Sequence, residues 1–192
     1  MSNLVAERRS IWPWLVLATV FIGATFQLRS QGRSWWCSCG QLFIWAGDVW
    51  SSHSSQHPLD PYSFTHLLHG FAFWWLLALC IPWVMPAWRI ALATGLEALW
   101  EVVENTEFVI QRYRETTAAL GYEGDSITNS LGDVIVCSLG LLVAWRLGFR
   151  RSLLLFLAIE VILIIWIRDS LILEVLMLLY PIDAIKSWQV SH

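Results

Sequence analysis

The stretch E-A-L-W-E-V-V-E-N places three glutamates, Glu97, Glu101 and Glu104, at helical spacing inside an otherwise apolar run. At about 100° per residue, they fall in one stripe of about 60° on a helix. A carboxylate at mid-bilayer costs about 2.5–3.5 kcal/mol on insertion scales, so such a stripe indicates a functional site. Carboxylates this close cannot all stay ionised, and we expect a histidine, an arginine or a metal ion to compensate them.

Two further apolar runs carry polar pairs at helical spacing. His66 and His69 are i,i+3 neighbours, and Asn129 and Asp133 are i,i+4 neighbours, so each pair shares one helix face. We expect the imidazoles to act as bases or metal ligands, two glutamates as an acid/base pair or ligands, and the Asn/Asp pair as orienting groups. The predicted catalytic residues are His66, His69, Glu101, Glu104, Asn129 and Asp133.

Two kinds of chemistry remain open for this set. Imidazoles and carboxylates on facing helices are ligands that suit Zn²⁺ or Mn²⁺, and they equally describe an acid/base site without a metal. The metal hypothesis uses His66, His69, Glu101 and Asp133. The plainer alternative is that these groups only hydrogen-bond between helices.

Several other polar residues are expected around the predicted site. Either of two arginines would neutralise a phosphate on the substrate, and His57 would lie over the mouth of the cavity. The predicted substrate contacts are Glu97, Asn105, Arg112, Arg168, Asp169 and His57.

A second constellation lies between the first two apolar runs and consists of Cys37, Cys39, His53 and His57. Its C-x-C…H-x₃-H pattern approaches zinc-finger spacing but is one residue short between the cysteines. In an oxidising compartment, a disulfide between the two cysteines or a pair of free thiols is equally expected. Zinc binding, a disulfide and free thiols therefore all remain open.

Composition indicates a membrane protein. Of 192 residues, 57% are hydrophobic and 14% are charged, whereas soluble domains carry about 25% charged residues. The 14 tryptophans include pairs such as Trp12 and Trp14 at the ends of apolar runs, as expected of interfacial anchors. A net charge of −3 without a Lys/Arg block argues against nucleic acid binding.

The apolar runs predict a single all-α domain, a polytopic helical bundle in the membrane. A final helix at about 170–188 is expected to be interfacial or re-entrant, because the run ending at Pro181 is too short to span, and a sixth span is the alternative. Tyr62, Tyr113 and Tyr122 are expected at the interface. The five predicted spans are residues 11–28, 64–81, 87–107, 126–147 and 152–167, with an outer loop at 29–62.

The N-terminus is expected in the cytoplasm of a bacterial cell with the chain in the inner membrane. Arg8 and Arg9 precede the first run, and no cleavage site follows it, so that run is interpreted as an uncleaved signal anchor. The predicted loops on the two sides of the membrane carry equal numbers of Lys and Arg residues. The short loop 146–151, with three arginines, nevertheless favours a cytoplasmic N-terminus.

In this topology, the polar residues of four helices fall in the outer half of the bilayer, and the inner half is apolar. Such a cavity suits acid/base or metal-assisted chemistry on the head group of a lipid or lipid-linked molecule. The alternatives are a binding or transport protein for a cation, a proton or a lipid, and a structural subunit whose acidic stripe pairs with a partner's membrane Arg or Lys.

From Trp35 onward the sequence resembles an uncharacterised, chiefly alphaproteobacterial family of multi-pass inner-membrane proteins. A far weaker similarity extends to VanZ-like membrane proteins. The resemblance implies the cell membrane as location, and no activity, cofactor or catalytic residue. The motifs that carry it are C37-S-C-G40, S55-Q-H57, H66-L-L-H-G70, E97-A-L-W-E-V-V-E-N105, R112-Y-R-E115, G124-D-S126, N129-S130, D133, I167-R-D169 and A184-I-K-S-W188.

Overall fold

The protein is described by a computed structural model that covers residues 11–41, 43–117 and 121–191. Within these ranges the chain is helical, as predicted, and one isolated bridge joins Trp45 and Leu59. The predicted signal-anchor charges Arg8 and Arg9 lie outside the described residues. The helices are α1 (Trp12–Ser30), α2 (Ser63–Cys80), α3 (Pro86–Glu104), α4 (Glu107–Thr116), α5 (Ile127–Ile167), α6 (Leu171–Leu179) and α7 (Asp183–Val190).

Helix α5 consists of two helices that meet at a sharp bend. Gly148 has φ 71° and ψ 170°, a backbone conformation that a glycine adopts without steric cost. Trp75, near the end of α2, contacts Phe149, whereas Phe64, at the start of α2, contacts Trp166. The second half of α5 therefore runs back along α2, starting a few residues earlier than the 152–167 helix predicted from the sequence.

The helix that carries the glutamates is shorter than predicted. It ends at Glu104, before the expected 107, because Asn105 donates its side-chain amide to the Glu101 carbonyl. Thr106 then caps the next helix. Its hydroxyl accepts a hydrogen bond from the Val109 amide, one of the amides at the start of α4 that have no partner within the helix.

The predicted C-terminal helix is divided in two. Helix α6 has nine residues, about 13 Å in length, against the roughly 30 Å of a bilayer core. The alternative prediction of a sixth span that continues to Trp188 is therefore wrong, because the helix ends before Pro181 and a separate helix, α7, follows it.

Helices α2 and α5 cross with their backbones in contact. A Cβ atom on Gly70 would collide with the Cys137 carbonyl, and one on Gly140 would collide with the Leu67 carbonyl. The two helices therefore approach each other closely at Gly70 and Gly140. This close approach fixes the separation of the polar residues that lie one or two turns from the crossing on each helix.

The polar loops gather at one end of the bundle. There the Gln31 side chain donates to the Val102 carbonyl, and the Ser126 amide donates to the Ser55 carbonyl. Beneath them, an apolar core fills the space between α2, α3 and α5, and its buried members include Phe71, Trp74, Leu141, Ala144 and Phe156.

Among the described helices, α2 alone is both long enough and apolar enough to cross a membrane by length and composition, and 39% of its 18 residues are buried inside the protein. The expectation of five spans is thus supported only in its coarser form, an all-helical chain with an apolar helix of membrane-spanning length.

Candidate active site

The centre of the site is one carboxylate that is shared by two imidazoles. Glu97 on α3 is fully buried and faces His66 and His69 on α2. His66 Nδ1 lies 2.6 Å from Glu97 Oε1, and His69 Nδ1 lies 3.0 Å from Glu97 Oε2. When the imidazoles are neutral and both Nδ1 atoms donate to an ionised Glu97, both Nε2 atoms are acceptors. Glu97, predicted as a substrate contact, therefore orients the imidazoles.

His66 is flanked by further carboxylates. Its Nδ1 is 3.2 Å from Glu101 Oε1, and its Nε2 is 3.9 Å from Asp133 Oδ2. Both oxygens of Glu101, together with Asp133 Oδ1 and Glu104 Oε2, are buried without a hydrogen-bond partner among the described residues. Because an unsatisfied buried acceptor costs about 1–3 kcal/mol, these oxygens favour a proton, a cation or a ligand donor.

A partly open cavity with an empty volume of about 680 Å³, including its mouth, extends from His66 towards the polar end of the bundle. Aromatic rings of Tyr62, Trp100, Tyr113 and Tyr122 complete much of the wall. Among the described residues that line it, the ionisable acids and imidazoles are His66, His69, Glu104, Asp125, Asp133, Asp169 and Glu174, with no lysine or arginine.

The predicted catalytic residues converge on this cavity from α2, α3 and α5. Five of them line it, namely His66, His69, Glu104, Asn129 and Asp133, and Glu101 lies behind His66. Asn129 also has a structural contact, because its amide donates to the His57 carbonyl over 2.8 Å. It therefore holds the outer loop over the site.

A second polar network on the wall includes two residues that are not among the site residues predicted from the sequence, Asp125 and Tyr122. Asn105 donates to Asp125 Oδ2 over 2.8 Å, and the Asp125 amide donates back to Asn105 Oδ1 over 2.7 Å. The Tyr122 hydroxyl donates to the same carboxylate over 2.9 Å. Burial raises the pKa of Asp125 and the pKa of Tyr122 above their ordinary values.

The sequence offered one signal for this network. Asp125 lies in the G-D-S motif directly before α5, where Ser126 accepts the Asn129 amide and caps the helix. A carboxylate beside a helix start is usually read as a turn residue. Tyr113 and Tyr122 were expected at the membrane interface, and both line the cavity.

Carboxylates also form the rim next to the C-terminal helices. Asp169, a predicted substrate contact, lines the cavity and accepts the Ser170 amide over 2.9 Å. Burial raises the pKa of Asp169 to about 7. Glu160 instead accepts the Ile172 amide over 3.3 Å and ties α5 to α6.

The two arginines predicted to neutralise a phosphate point elsewhere. Arg112 Nε donates to the Leu178 carbonyl over 2.9 Å. Arg168 Nη1 donates to the Trp188 carbonyl over 3.0 Å, and its guanidinium lies 5.9 Å from the Trp188 ring centre. Neither side chain lines the cavity, so this prediction is wrong. Both arginines hold the C-terminal helices against the bundle.

The lid role predicted for His57 is also wrong. Its ring is fully buried and packs with Cys37, Cys39 and His53 in the loop between α1 and α2. The side chain is absent from the cavity lining. Only the backbone of this residue reaches the site, through the hydrogen bond from Asn129.

The predicted metal set of His66, His69, Glu101 and Asp133 does not form one compact group. The compact groups in this part of the described chain are His66–His69–Glu97 and His66–Glu101–Glu104. The first has nitrogen–oxygen distances of 2.6–3.1 Å, which are hydrogen-bond lengths. Two ligands about 2.0–2.1 Å from a tetrahedral Zn²⁺ are about 3.3 Å apart, so shared protons fit this group better.

Fold and site together define a class of helical proteins with a carboxylate–imidazole cluster buried at one end of an apolar bundle. The chain belongs to the family described as "Protein of unknown function (DUF2585)", which it matches over residues 28–191. The alphaproteobacterial family inferred from the sequence motifs is thus confirmed.

Relatives cover nearly the whole chain. A UPF0314 protein of Brucella anthropi is 40% identical over 188 residues, 98% of this chain and 95% of the relative. That of Paracoccus denitrificans is 40% identical over 189 residues, 98% and 97% of the two chains. That of Sphingopyxis alaskensis is 42% identical over 180 residues, 92% and 94% of the two chains. No solved structure gives a significant match. The weaker likeness to VanZ-like proteins stays a prediction.

Proposed function

We propose that the protein crosses the bacterial inner membrane several times, with its cavity opening at the outer head-group level. The support is a wide apolar surface on helices other than α2. Ile22 and Phe26 on α1 are 62% and 76% exposed, and Leu154 and Ile165 on α5 are 70% and 77% exposed. Large aliphatic and aromatic groups exposed on this scale mark surfaces that lipid or another protein covers.

The second half of α5 supports the same proposal. Its exposed face is aliphatic, whereas Glu160 is 4% exposed and points into the bundle, as expected of an ionisable group at membrane depth. Arg150 and Arg151 lie beside the bend at Gly148, where they would reach cytoplasmic head groups. This orientation places the N-terminus inside.

Reporter fusions test that topology. Alkaline phosphatase folds only outside the cytoplasm, so a fusion in the outer loop at Ser54 should be active. A fusion in the α2–α3 turn at Trp83 should be inactive. The opposite pattern, or release of the protein from membranes by alkaline carbonate, would overturn the proposal.

We further infer that the cavity performs acid/base chemistry on the polar head group of a lipid or lipid-linked molecule. The observation that carries this is the pair of imidazoles whose Nδ1 atoms are held by Glu97, while both rings line the cavity. An oriented imidazole with a free Nε2 is the usual general base. His66 is assigned as the base, and Glu104 and Asp133 as groups that carry the proton.

The cavity wall also supports a substrate class. Carboxylates, imidazoles and tyrosines line it without a lysine or arginine among the described residues. A bare phosphate would meet repulsion there unless a divalent ion such as Zn²⁺ or Mn²⁺ accompanied it. The wall suits the hydroxyls of a sugar or the ammonium of an amine head group.

The test compares lipid extracts of a deletion strain with those of strains that express wild-type or variant protein. Glu101→Gln keeps the shape of the side chain and an oxygen that can face His66 Nδ1, so the melting temperature in detergent should change little. It removes the carboxylate charge 3.2 Å from the assigned base and should therefore reproduce the lipid profile of the deletion. Glu107→Gln, an exposed carboxylate on α4, is the matched control and should restore the wild-type profile. Full restoration by Glu101→Gln, or a deletion without lipid change, would refute the acid/base proposal.

A second candidate is binding or transport of a cation or proton, which the acidic wall favours. Among the described residues, the region beyond Glu97 is mainly apolar and includes Phe71, Trp74 and Leu141. Its hydroxyl pair, Thr94 and Ser138, does not form a continuous polar route to the other side. Flux of protons or divalent cations into liposomes containing the purified protein would support transport. A subunit that pairs through the acidic stripe is less supported, because Glu97 and Glu101 are buried in their own bundle.

A further inference from the structure

The outer loop brings together four side chains that the acid/base chemistry does not use. Cys37 and Cys39 follow α1, and His53 and His57 precede α2. Their ligand atoms all lie within 4.8 Å of one another. Both cysteines are free thiols in the structure, so a disulfide does not account for this convergence.

Three of the separations are close to the edges of a metal tetrahedron. Cys37 Sγ is 3.4 Å from His53 Nδ1, His53 Nδ1 is 3.4 Å from His57 Nε2, and His57 Nε2 is 4.0 Å from Cys39 Sγ. Zinc bonds of about 2.3 Å to sulfur and about 2.0–2.1 Å to nitrogen give edges of about 3.3–3.8 Å. The loop thus provides two thiols and two imidazoles at separations that a small shift of the side chains would bring to those of a tetrahedral zinc ion.

Backbone amides are directed at both sulfurs. The Cys39 amide lies 3.4 Å from Cys37 Sγ, and the Gln41 amide lies 3.4 Å from Cys39 Sγ. Gly40, between them, has φ 72° and closes a tight turn. Amides in these positions orient the two sulfurs, as partners behind metal ligands do.

The segment that carries the two histidines, residues 53–57, is fixed by hydrogen bonds to residues outside the cluster. Ser55, between the two histidines, has φ 60°, a conformation that is costly for a residue with a side chain. Its amide donates to Asp60 over 2.6 Å, and its carbonyl accepts the Ser126 amide over 2.9 Å. Ser55 also lines the cavity. The cluster therefore fixes the part of the loop, around Ser55, that lines the cavity.

We propose that Cys37, Cys39, His53 and His57 bind one structural Zn²⁺ ion that fastens the outer loop over the bundle. Four protein ligands leave no open position, which is the arrangement of structural and not catalytic zinc. Binding releases the two thiol protons and gives a neutral centre. The assignment is independent of the acid/base proposal.

One contact changes when the metal binds. In the structure, His57 Nδ1 accepts the Phe43 amide over 3.3 Å, which requires the proton on Nε2. Zinc at Nε2 places that proton on Nδ1, so the Phe43 amide must move away. The loop around Phe43 is the segment expected to shift between the metal-free and metal-bound protein.

Metal analysis of the full-length protein, purified in detergent without chelators, tests the assignment. We expect about one zinc per chain, lost in both Cys39→Ser and His53→Gln. Cys80→Ser and His69→Gln are the matched controls outside the cluster and should keep the zinc. Cobalt(II) in place of zinc should give a thiolate-to-metal charge-transfer band that Cys39→Ser removes.

Several results would overturn it. Zinc that is absent from the wild-type protein, or that persists in both loop variants, contradicts the site. Zinc that is lost in His69→Gln but kept in Cys39→Ser would place the metal in the bundle. An intact mass lower by two hydrogen atoms under non-reducing conditions would assign a disulfide instead, provided that reductant restores the mass in the wild type and that Cys39→Ser does not show the decrease. Size-exclusion profiles identify variants that misfold, and His53→Gln then stands in for Cys39→Ser.

Discussion

The protein contains two clusters rich in histidine, one inside the bundle and one in the outer loop, and their internal distances differ. Around Glu97, nitrogen and oxygen atoms are 2.6–3.1 Å apart, as in hydrogen bonds. Around Cys37 and His53, the ligand atoms are 3.4–4.0 Å apart, as around a metal ion. The same residue type is thus positioned to share protons in one place and to hold an ion in the other.

The two clusters also differ in what positions them. The bundle cluster depends on rigid helices whose crossing is fixed by Gly70 and Gly140. The loop cluster lies in residues 31–62, a 32-residue connection between α1 and α2 without a helix among its described residues. Connections longer than about 12–15 residues are uncommon in compact domains unless they have a function. A metal would supply the rigidity that helices supply in the bundle.

The largest expected effect comes from breaking the helix crossing. In Gly140→Leu, the new side chain would collide with the Leu67 carbonyl, and because backbone cannot move aside cheaply, we expect a loss of about 3 kcal/mol or more in the free energy of unfolding. Gly23→Leu on α1, where nothing lies within 4 Å of a Cβ, is the matched control and should unfold near the wild-type temperature. Equal melting temperatures of the two variants in detergent would show that the crossing does not position the bundle cluster.

Removal of the shared carboxylate should have the next largest effect. Glu97→Leu leaves the Nδ1 donors of His66 and His69 without their common acceptor, and each buried donor left unsatisfied costs about 1–3 kcal/mol. Glu101→Leu removes one contact, between Glu101 Oε1 and His66 Nδ1, and should cost less. Chemical denaturation of both variants measures the difference. A larger loss of stability in Glu101→Leu than in Glu97→Leu would show that Glu101, and not Glu97, holds the two imidazoles.

The sequence predicted the membership of the bundle cluster better than its roles. Helical periodicity placed His66, Glu97, Glu101 and Asp133 on facing surfaces, because 3.6-residue spacing and the cost of burying charge restrict where such groups can lie. It could not assign Glu97 as the group that orients both imidazoles, since that depends on rotamers. Helical spacing says nothing about a loop residue such as Asp125, whose place is set by its bond to Asn105.

The errors of prediction have a common physical cause. Arg112 and Arg168 were assigned to the cavity by depth alone, but long cationic side chains bind the nearest free carbonyls, here those of Leu178 and Trp188. Both carbonyls lie in the last turn of a short helix, Leu178 in α6 and Trp188 in α7, where the carbonyls have no partner within the helix.

The clusters should respond to pH in opposite directions. Burial raises the pKa of Asp169, on the rim of the bundle cavity, to about 7 from an ordinary 3.8, so the folded protein holds this proton more tightly than the unfolded chain does. Its contribution to stability is complete below pH 3.8 and is lost as the pH rises to about 7. A zinc site instead loses its ion on acidification, because protons compete for imidazole and thiolate.

Asp169→Asn isolates the first of these effects. The amide cannot ionise, and its oxygen can still accept the Ser170 amide, so the variant should lose less stability than the wild type between about pH 4 and 7. Melting temperatures across this range, with and without a chelator, measure both effects. Asp48→Asn, an exposed loop carboxylate, should follow the wild-type curve. Parallel curves for Asp169→Asn and wild type would show that Asp169 does not hold a proton in the folded protein.

The smallest effect is expected at Arg168, and it tests whether the cavity functions without a nearby cation. Arg168→Ala removes hydrogen bonds to the Trp188 carbonyl and Ser191 and a contact with the Trp188 ring. At an exposed position these interactions contribute about 1 kcal/mol or less. Because the side chain does not line the cavity, the variant should restore the wild-type lipid profile in a deletion strain, in contrast to Glu101→Gln. If Arg168→Ala gave the lipid profile of the deletion with an unchanged melting temperature, Arg168 would be a residue of the functional site. That result would favour a phosphate-bearing head group over a sugar or an amine.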